Sequence, residues 1–220
     1  MKRLLIAVAT LFVFTATAQA QNLKWGLEVG GNLGRVTGNV NGSNGSYFQT
    51  SHTLGFQVGP YLEYQFSDLI GIQPELLFNE LNTKFNSNSS SLAGNGTFEL
   101  NGRTVYLNLL SLPILVRFNL TKSFSLQIGP QFDVILNNTT FYQDNPTTSG
   151  STAINAFKTF NAGGTVAAQF DLGNWLVYGR FNLGLTNMNN CTQDSKWHKE
   201  EFQLGIGYNF SRFFKKKSNT

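Results

Sequence analysis

Cysteine, histidine and long apolar runs are all scarce in this 220-residue chain, and each scarcity removes a class of protein. Cys191 is the single cysteine, so no internal disulfide can staple the fold even in an oxidising compartment. We read it as an incidental loop thiol. With only two histidines, His52 and His198, and no His or Cys pair at ligand spacing, no metal centre is expected. No Gly-x-x-x-x-Gly-Lys-Ser/Thr loop exists to cradle a nucleotide, and no cofactor is expected. After the first 20 residues no apolar stretch approaches the ~20 residues of a spanning helix. The longest, 107–118, is broken by Asn108, Ser111, Pro113 and Arg117.

The first 20 residues read as a secretory signal peptide: Lys2 and Arg3, an apolar run over 4–14, then Ala18-Gln19-Ala20. Cleavage would leave Gln21 first, which is not the cysteine a lipid anchor needs. The formal charge of +4 is unevenly placed. Two positive charges belong to the leader and four, Arg212, Lys215, Lys216 and Lys217, to a basic tail at 211–220. The body at 21–210 is left slightly acidic, which argues against a nucleic-acid surface.

What the body has in abundance is period-two alternation. In 201–210, Phe202, Leu204, Ile206, Tyr208 and Phe210 share one face, while Glu201, Gln203, Gly205, Gly207 and Asn209 share the other. Strand segments are expected near 24–35, 53–66, 70–79, 104–119, 124–136, 158–172, 175–186 and 197–210. Ser67-Asp68-Leu69, Thr121-Lys122-Ser123 and Gly173-Asn174 read as tight turns. Four connections near 37–52, 81–103, 137–157 and 187–196 are long and rich in Asn, Gly, Ser and Thr. An apolar face that can be the outside and short turns alternating with long loops describe an all-β, eight-stranded antiparallel up-and-down transmembrane β-barrel, in an outer membrane.

Aromatics support two interface belts. Trp25, Tyr64, Phe66, Phe118, Phe124, Phe170, Trp175, Tyr208 and Phe210 fall beside the short turns. Phe56, Phe78, Tyr106, Phe132, Phe160, Trp197 and Phe202 fall toward the loops.

Several stretches resemble the PorT-like outer-membrane β-barrel proteins of Bacteroidetes-type bacteria. They are Gly71-Ile72-Gln73-Pro74-Glu75-Leu76-Leu77-Phe78, Leu112-Pro113-Ile114-Leu115-Val116-Arg117-Phe118, Leu126-Gln127-Ile128-Gly129-Pro130 and 180–187. The resemblance implies an outer-membrane location and admits a link to protein secretion. Gln203, Gly205, Tyr208 and Phe210 are similar to the terminal motif by which the barrel-assembly machinery recognises its substrates, although ten residues follow Phe210.

An eight-stranded barrel is filled by its own side chains. The inward set is expected to be polar, with Gln57, Tyr61, Gln73, Gln127, Gln131, Asp133, Gln169, Tyr178, Asn182 and Glu201 among it. Glu28, Glu63, Glu75, Arg117 and Arg180 form a candidate charge network in the half nearer the short turns. A satisfied polar plug is the structural reading of that network, and a proton path or narrow gated channel the functional one. Two other classes remain as alternatives: a lipid A-modifying enzyme, for which neither Ser51 nor Ser195 makes a nucleophile motif with the histidines, and a soluble lipocalin-like binder, whose faces should be reversed. The preferred reading is a non-enzymatic barrel in contact with outer-membrane lipids and lipopolysaccharide. Its specific partner, an extracellular loop ligand, is not named by the sequence.

Overall fold

The computed structural model describes residues 22–38, 50–85, 104–137, 140–144, 151–155, 157–190 and 196–211. The leader, Cys191, the basic residues of the tail and much of the four long connections lie outside them. The strands are β1 (Leu23–Gly38), β2 (Thr50–Gln65), β3 (Ile70–Pro74), β4 (Leu77–Phe85), β5 (Thr104–Asn119), β6 (Phe124–Ile135), β7 (Thr140–Asp144), β8 (Ser151–Asn155), β9 (Phe160–Leu172), β10 (Trp175–Gly184) and β11 (Trp197–Asn209).

Eight staves close a ring: β1, β2, β3 with β4, β5, β6, β9, β10 and β11, with β11 hydrogen-bonded back to β1 from Gly26↔Asn209 to Gly38↔Trp197. All the pairings are antiparallel. Closure leaves no edge, which is the condition for crossing a bilayer with strands. The remaining pair, β7 and β8, is a separate hairpin inside a connection read from the sequence as plain loop.

The third stave is longer than its sequence pattern suggested, running to Phe85, and its assignment as strand lapses at Glu75 and Leu76. The register nevertheless continues through the lapse, since Tyr61↔Glu75 lies in line with Val58↔Phe78 on one side and Tyr64↔Ile72 on the other. Proline is the cause. Pro60 and Pro74 have no N–H to give the ladder. The β5–β6 ladder likewise skips from Pro113↔Gln131 to Val116↔Ile128, across Pro130. In both places a glycine precedes the proline and yields room to the neighbouring carbonyl. A Cβ on Gly59 would sit 2.0 Å from the Leu76 oxygen, and one on Gly129 would sit 2.0 Å from the Ile114 oxygen. At the β9–β10 turn, Gly173 has a φ of 72°, the first central position of a type II′ hairpin.

Burial is inverted relative to a water-soluble sheet. Leu27, Val29, Leu126, Ile128, Leu204 and Ile206 are exposed, while Glu28, Gln127, Gln203 and their inward neighbours are buried. A lipocalin-like reading requires the opposite. Ring contacts mark the belt beside the short turns: Trp25 with Phe210 at 5.2 Å, Trp175 with Tyr208 at 4.8 Å, and Phe124 with Phe170 at 4.6 Å. On the loop side Phe56 meets Phe78 at 5.7 Å and Phe132 meets Phe160 at 6.2 Å.

Trp197 does not belong to that belt, contrary to the sequence reading. It points inward, is 1% exposed and packs edge-on against Phe157 at 5.4 Å. It shares parity with Lys199 and Glu201 on the lumen side of β11.

Candidate functional site in the barrel lumen

Inward parity along each stave gathers the polar side chains into three tiers. The lowest tier, beside the short turns, is built on Arg117 of β5. Its Nη1 donates to Glu63 Oε2 of β2 at 3.1 Å, its Nε to Asn119 Oδ1 at 2.8 Å, and its Nη2 to Asp171 of β9. Lys24 of β1 donates to the other Glu63 oxygen at 2.7 Å.

Arg180 of β10 organises the middle tier. Its guanidinium donates to Glu28 Oε1 of β1 at 3.3 Å and to the Glu75 carboxylate at 2.8 Å, and its Nη1 reaches Gln203 Oε1 at 3.4 Å. It lies 4.7 Å from the Tyr178 ring centroid, within cation–π range. Tyr178 in turn accepts from Gln57 Nε2 at 3.1 Å. Two carboxyl groups face one guanidinium in this tier, and Glu28 Oε2, Gln57 Oε1 and Tyr61 Oη have no protein hydrogen-bond partner.

Glutamines from three staves join the tiers. Gln73 Nε2 donates to Glu75 Oε1 at 2.9 Å, while its Oε1 accepts from Gln127 at 3.1 Å and from Arg117 at 3.4 Å. Gln127 also donates to Gln169 at 2.9 Å, and Gln169 to Asp171 Oδ1 at 2.8 Å. The five residues singled out by sequence therefore form two sets, Arg117 with Glu63 and Arg180 with Glu28 and Glu75, connected through Gln73.

The sequence reading placed Gln131, Asp133, Asn182 and Glu201 of the upper tier inward but missed Lys199 and the charge cluster it organises. Lys199 of β11 is buried and donates to Asp133 Oδ2 of β6 at 2.6 Å, with Glu201 Oε2 at 3.5 Å. Ser111 and Gln131 donate to Asp133 Oδ1 at 2.6 and 2.8 Å, and Asn79 and Asn182 donate to Glu201 at 2.9 and 3.2 Å. Parity with Glu201 and Gln203 was the available indication for Lys199, as parity with Gln169 was for Asp171.

Above the upper tier the lumen turns apolar, which corrects the expectation of a polar interior throughout. Val36 of β1, Leu81 of β4, Val105 and Leu107 of β5, Ile135 of β6 and Trp197 of β11 are buried there with Phe157 and Met188. The cause is visible in β5, where Val105, Leu107 and Leu109 face inward while Tyr106, Leu110 and Leu112 face outward. Backbone bonds from Lys158 N to Met188 O and from Met188 N to Trp197 O, at 2.8 and 2.9 Å, knit the bases of two loops across this layer. At the opposite end a cavity of about 760 Å³ is lined by Lys24, Gln65, Arg117, Asn119, Lys122 and Asp171.

The terminal motif divides between the two faces. Gln203 lies in the middle tier and Gly205 faces the Tyr178 hydroxyl, whereas Tyr208 and Phe210 lie in the aromatic belt, 5.2 Å apart. His198 Nδ1 donates to the Gly184 carbonyl at 3.2 Å, and His52 lies on the outward face of β2. Among the described residues no group of three His, Cys, Asp or Glu side chains is placed to hold a metal ion.

A closed ring with an apolar outer band, aromatic belts and buried ion pairs defines a small transmembrane β-barrel. The chain belongs to the outer membrane protein beta-barrel domain family, which matches residues 18–190, and that membership indicates the outer membrane. No curated protein matches the chain at a significant level.

Solved barrels are similar to it at low identity. Ail of Yersinia pestis, in complex with the heparin analogue sucrose octasulfate, is 12% identical with a TM-score of 0.48, over 86% of this chain and 100% of that one. Neisserial surface protein A is 10% identical with a TM-score of 0.46, over 84% and 97%. OprG from Pseudomonas aeruginosa is 10% identical with a TM-score of 0.44, over 86% and 94%.

Proposed function

We propose that this protein is a non-conducting outer-membrane scaffold whose task is surface interaction through its long loops. The observation that carries the proposal is the filled lumen: three tiers of paired charges stacked beneath an apolar layer centred on Trp197 and Phe157. An ion crossing it would have to displace buried ion pairs and then pass a mainly apolar layer, and both steps are costly. In this reading export removes the leader at 1–20 and the assembly machinery takes up the chain through Gln203, Gly205, Tyr208 and Phe210. The PorT-like resemblance extends it to a secretion-linked role, with the connections at 82–102 and 137–157 as the contact elements.

Planar-bilayer recording of the refolded full chain tests the proposal. Silence is expected under applied voltage, and steady unitary currents would overturn it.

A further inference from the structure

The upper and middle tiers each set two carboxyl groups against one cation, and they differ in the donors that reach those groups. In the upper tier every carboxyl oxygen is supplied. Asp133 accepts from Lys199, Ser111 and Gln131, and both oxygens of Glu201 accept from Asn79, with Asn182 adding a second donor to Oε2. Hydrogen bonds of this kind favour the charged form.

The middle tier is short of donors. Glu28 receives only the Arg180 guanidinium, at 3.3 Å and on Oε1, while its Oε2 and the Gln57 Oε1 accept from no protein group. Glu75 takes the shorter Arg180 contact, at 2.8 Å, together with Gln73 Nε2 at 2.9 Å. The sequence of β1 brings this about. Its inward row runs Gly26, Glu28, Gly30, and the two glycines let Tyr61 and Gln57 of β2 lie across the strand on either side of Glu28. A Cβ on Gly26 would sit 2.6 Å from the Tyr61 ring, and one on Gly30 would sit 3.0 Å from the Gln57 amide nitrogen. Arg180 is the one cation of this tier among the described residues, with the neutral Tyr178 and Gln203 beside it. The cations below and above are engaged elsewhere, Arg117 by Glu63 and Asp171, and Lys199 by Asp133.

The Glu28 and Glu75 carboxyl groups also lie within hydrogen-bonding reach of each other. Two carboxylates so placed have no donor between them, and with both side chains 0% exposed no water screens their repulsion. One proton turns the contact into a hydrogen bond and leaves one carboxylate to one guanidinium. We infer that the middle tier is a proton-binding site, in which Glu28 and Glu75 share a single proton at neutral pH. The site is independent of the surface role of the loops and makes the packing of the lumen responsive to pH. Exposed glutamates of the unfolded chain are ionised at neutral pH, so the folded state carries one more proton and its stability falls as pH rises.

Infrared spectroscopy of the folded full chain at neutral pH, in a neutral detergent free of ester groups, tests the inference. The parent should show the carbonyl band of one protonated carboxyl group. Glu28→Gln and Glu75→Gln should each abolish it, because either change leaves a single carboxylate facing Arg180. Folding of each variant is verified by the mobility difference between unboiled and boiled gel samples. Urea unfolding in lipid vesicles gives the second readout. Between about pH 6 and about pH 8 the parent's ratio of folded to unfolded protein should fall by up to roughly tenfold per pH unit more than that of Glu28→Gln. His52 and His198 are common to both proteins and cancel in the comparison. Absence of the band from the parent, its survival in both variants, or equal pH slopes for the parent and Glu28→Gln would each overturn the inference.

Discussion

Replacing Arg180 by methionine puts the most weight on the middle tier. The substitution keeps much of the side chain's length but removes the one cation that faces Glu28 and Glu75, whose side chains are 0% exposed. Taking one partner from a buried ion pair costs about 3–5 kcal/mol, because the abandoned charge stays out of water. At 1.4 kcal/mol per factor of ten, the ratio of folded to unfolded protein falls by roughly two to four powers of ten. Glu28→Gln is the informative contrast. It leaves one carboxylate to one guanidinium and should cost under about 1.5 kcal/mol. The triple change Arg180→Met, Glu28→Gln, Glu75→Gln should recover most of the loss, since no buried charge is then abandoned. Urea unfolding in lipid vesicles, followed by gel mobility and tryptophan fluorescence, gives the three midpoints. If Arg180→Met unfolded at the parent's midpoint, or Glu28→Gln cost as much as Arg180→Met, the ion-pair account of the lumen would be wrong.

Glycine contrasts probe the proline-interrupted wall. Gly129→Ala and Gly59→Ala force a methyl to within 2.0 Å of a neighbouring carbonyl oxygen and should each destabilise by about 1–3 kcal/mol. Gly164→Ala and Gly179→Ala, which meet nothing within 4 Å, should be neutral or slightly stabilising by the same urea assay. Leu204→Lys places a charge in the outward apolar face and should cost about 2–4 kcal/mol if that position is near the bilayer midplane. Brominated lipids should quench Trp25 and Trp175 in single-tryptophan variants and leave Trp197 unquenched, because only Trp197 lies inside the ring. Trp197→Ala should destabilise by about 3–5 kcal/mol through loss of its packing, and an unfolding midpoint equal to the parent's would contradict its inward placement.

Residues 201–210 carried most of the fold in legible form, because apolar and polar faces alternate there without exception and a single inverted strand already implies a lipid-facing wall. Turns were legible for a local reason: Gly173-Asn174 encodes its own hairpin geometry. Leu107 and Leu109 were not legible as lumen residues. Where both faces of a strand are apolar, alternation no longer separates inside from outside, and only the neighbouring staves decide.

Trp197 was assigned to the belt on its position near a loop, whereas parity with Lys199 and Glu201 places it within. Partner choice among the charges also exceeded the sequence. Parity gives the face of Arg117 and Arg180, but the stagger between staves determines that the first meets Glu63 and the second meets Glu28 and Glu75. The hairpin of β7 and β8 lies in a polar connection whose composition suggested only loop.

The central claim, a closed inside-out barrel with a filled lumen, is tested most directly by spin labels placed one at a time along β11 in a Cys191→Ser background in lipid bilayers. Labels at 202, 204 and 206 should be accessible to oxygen dissolved in the lipid, and labels at 203, 205 and 207 should be shielded from both oxygen and a water-soluble nickel reagent. Free access of the nickel reagent to 203, 205 and 207, or no alternation along the strand, would contradict it.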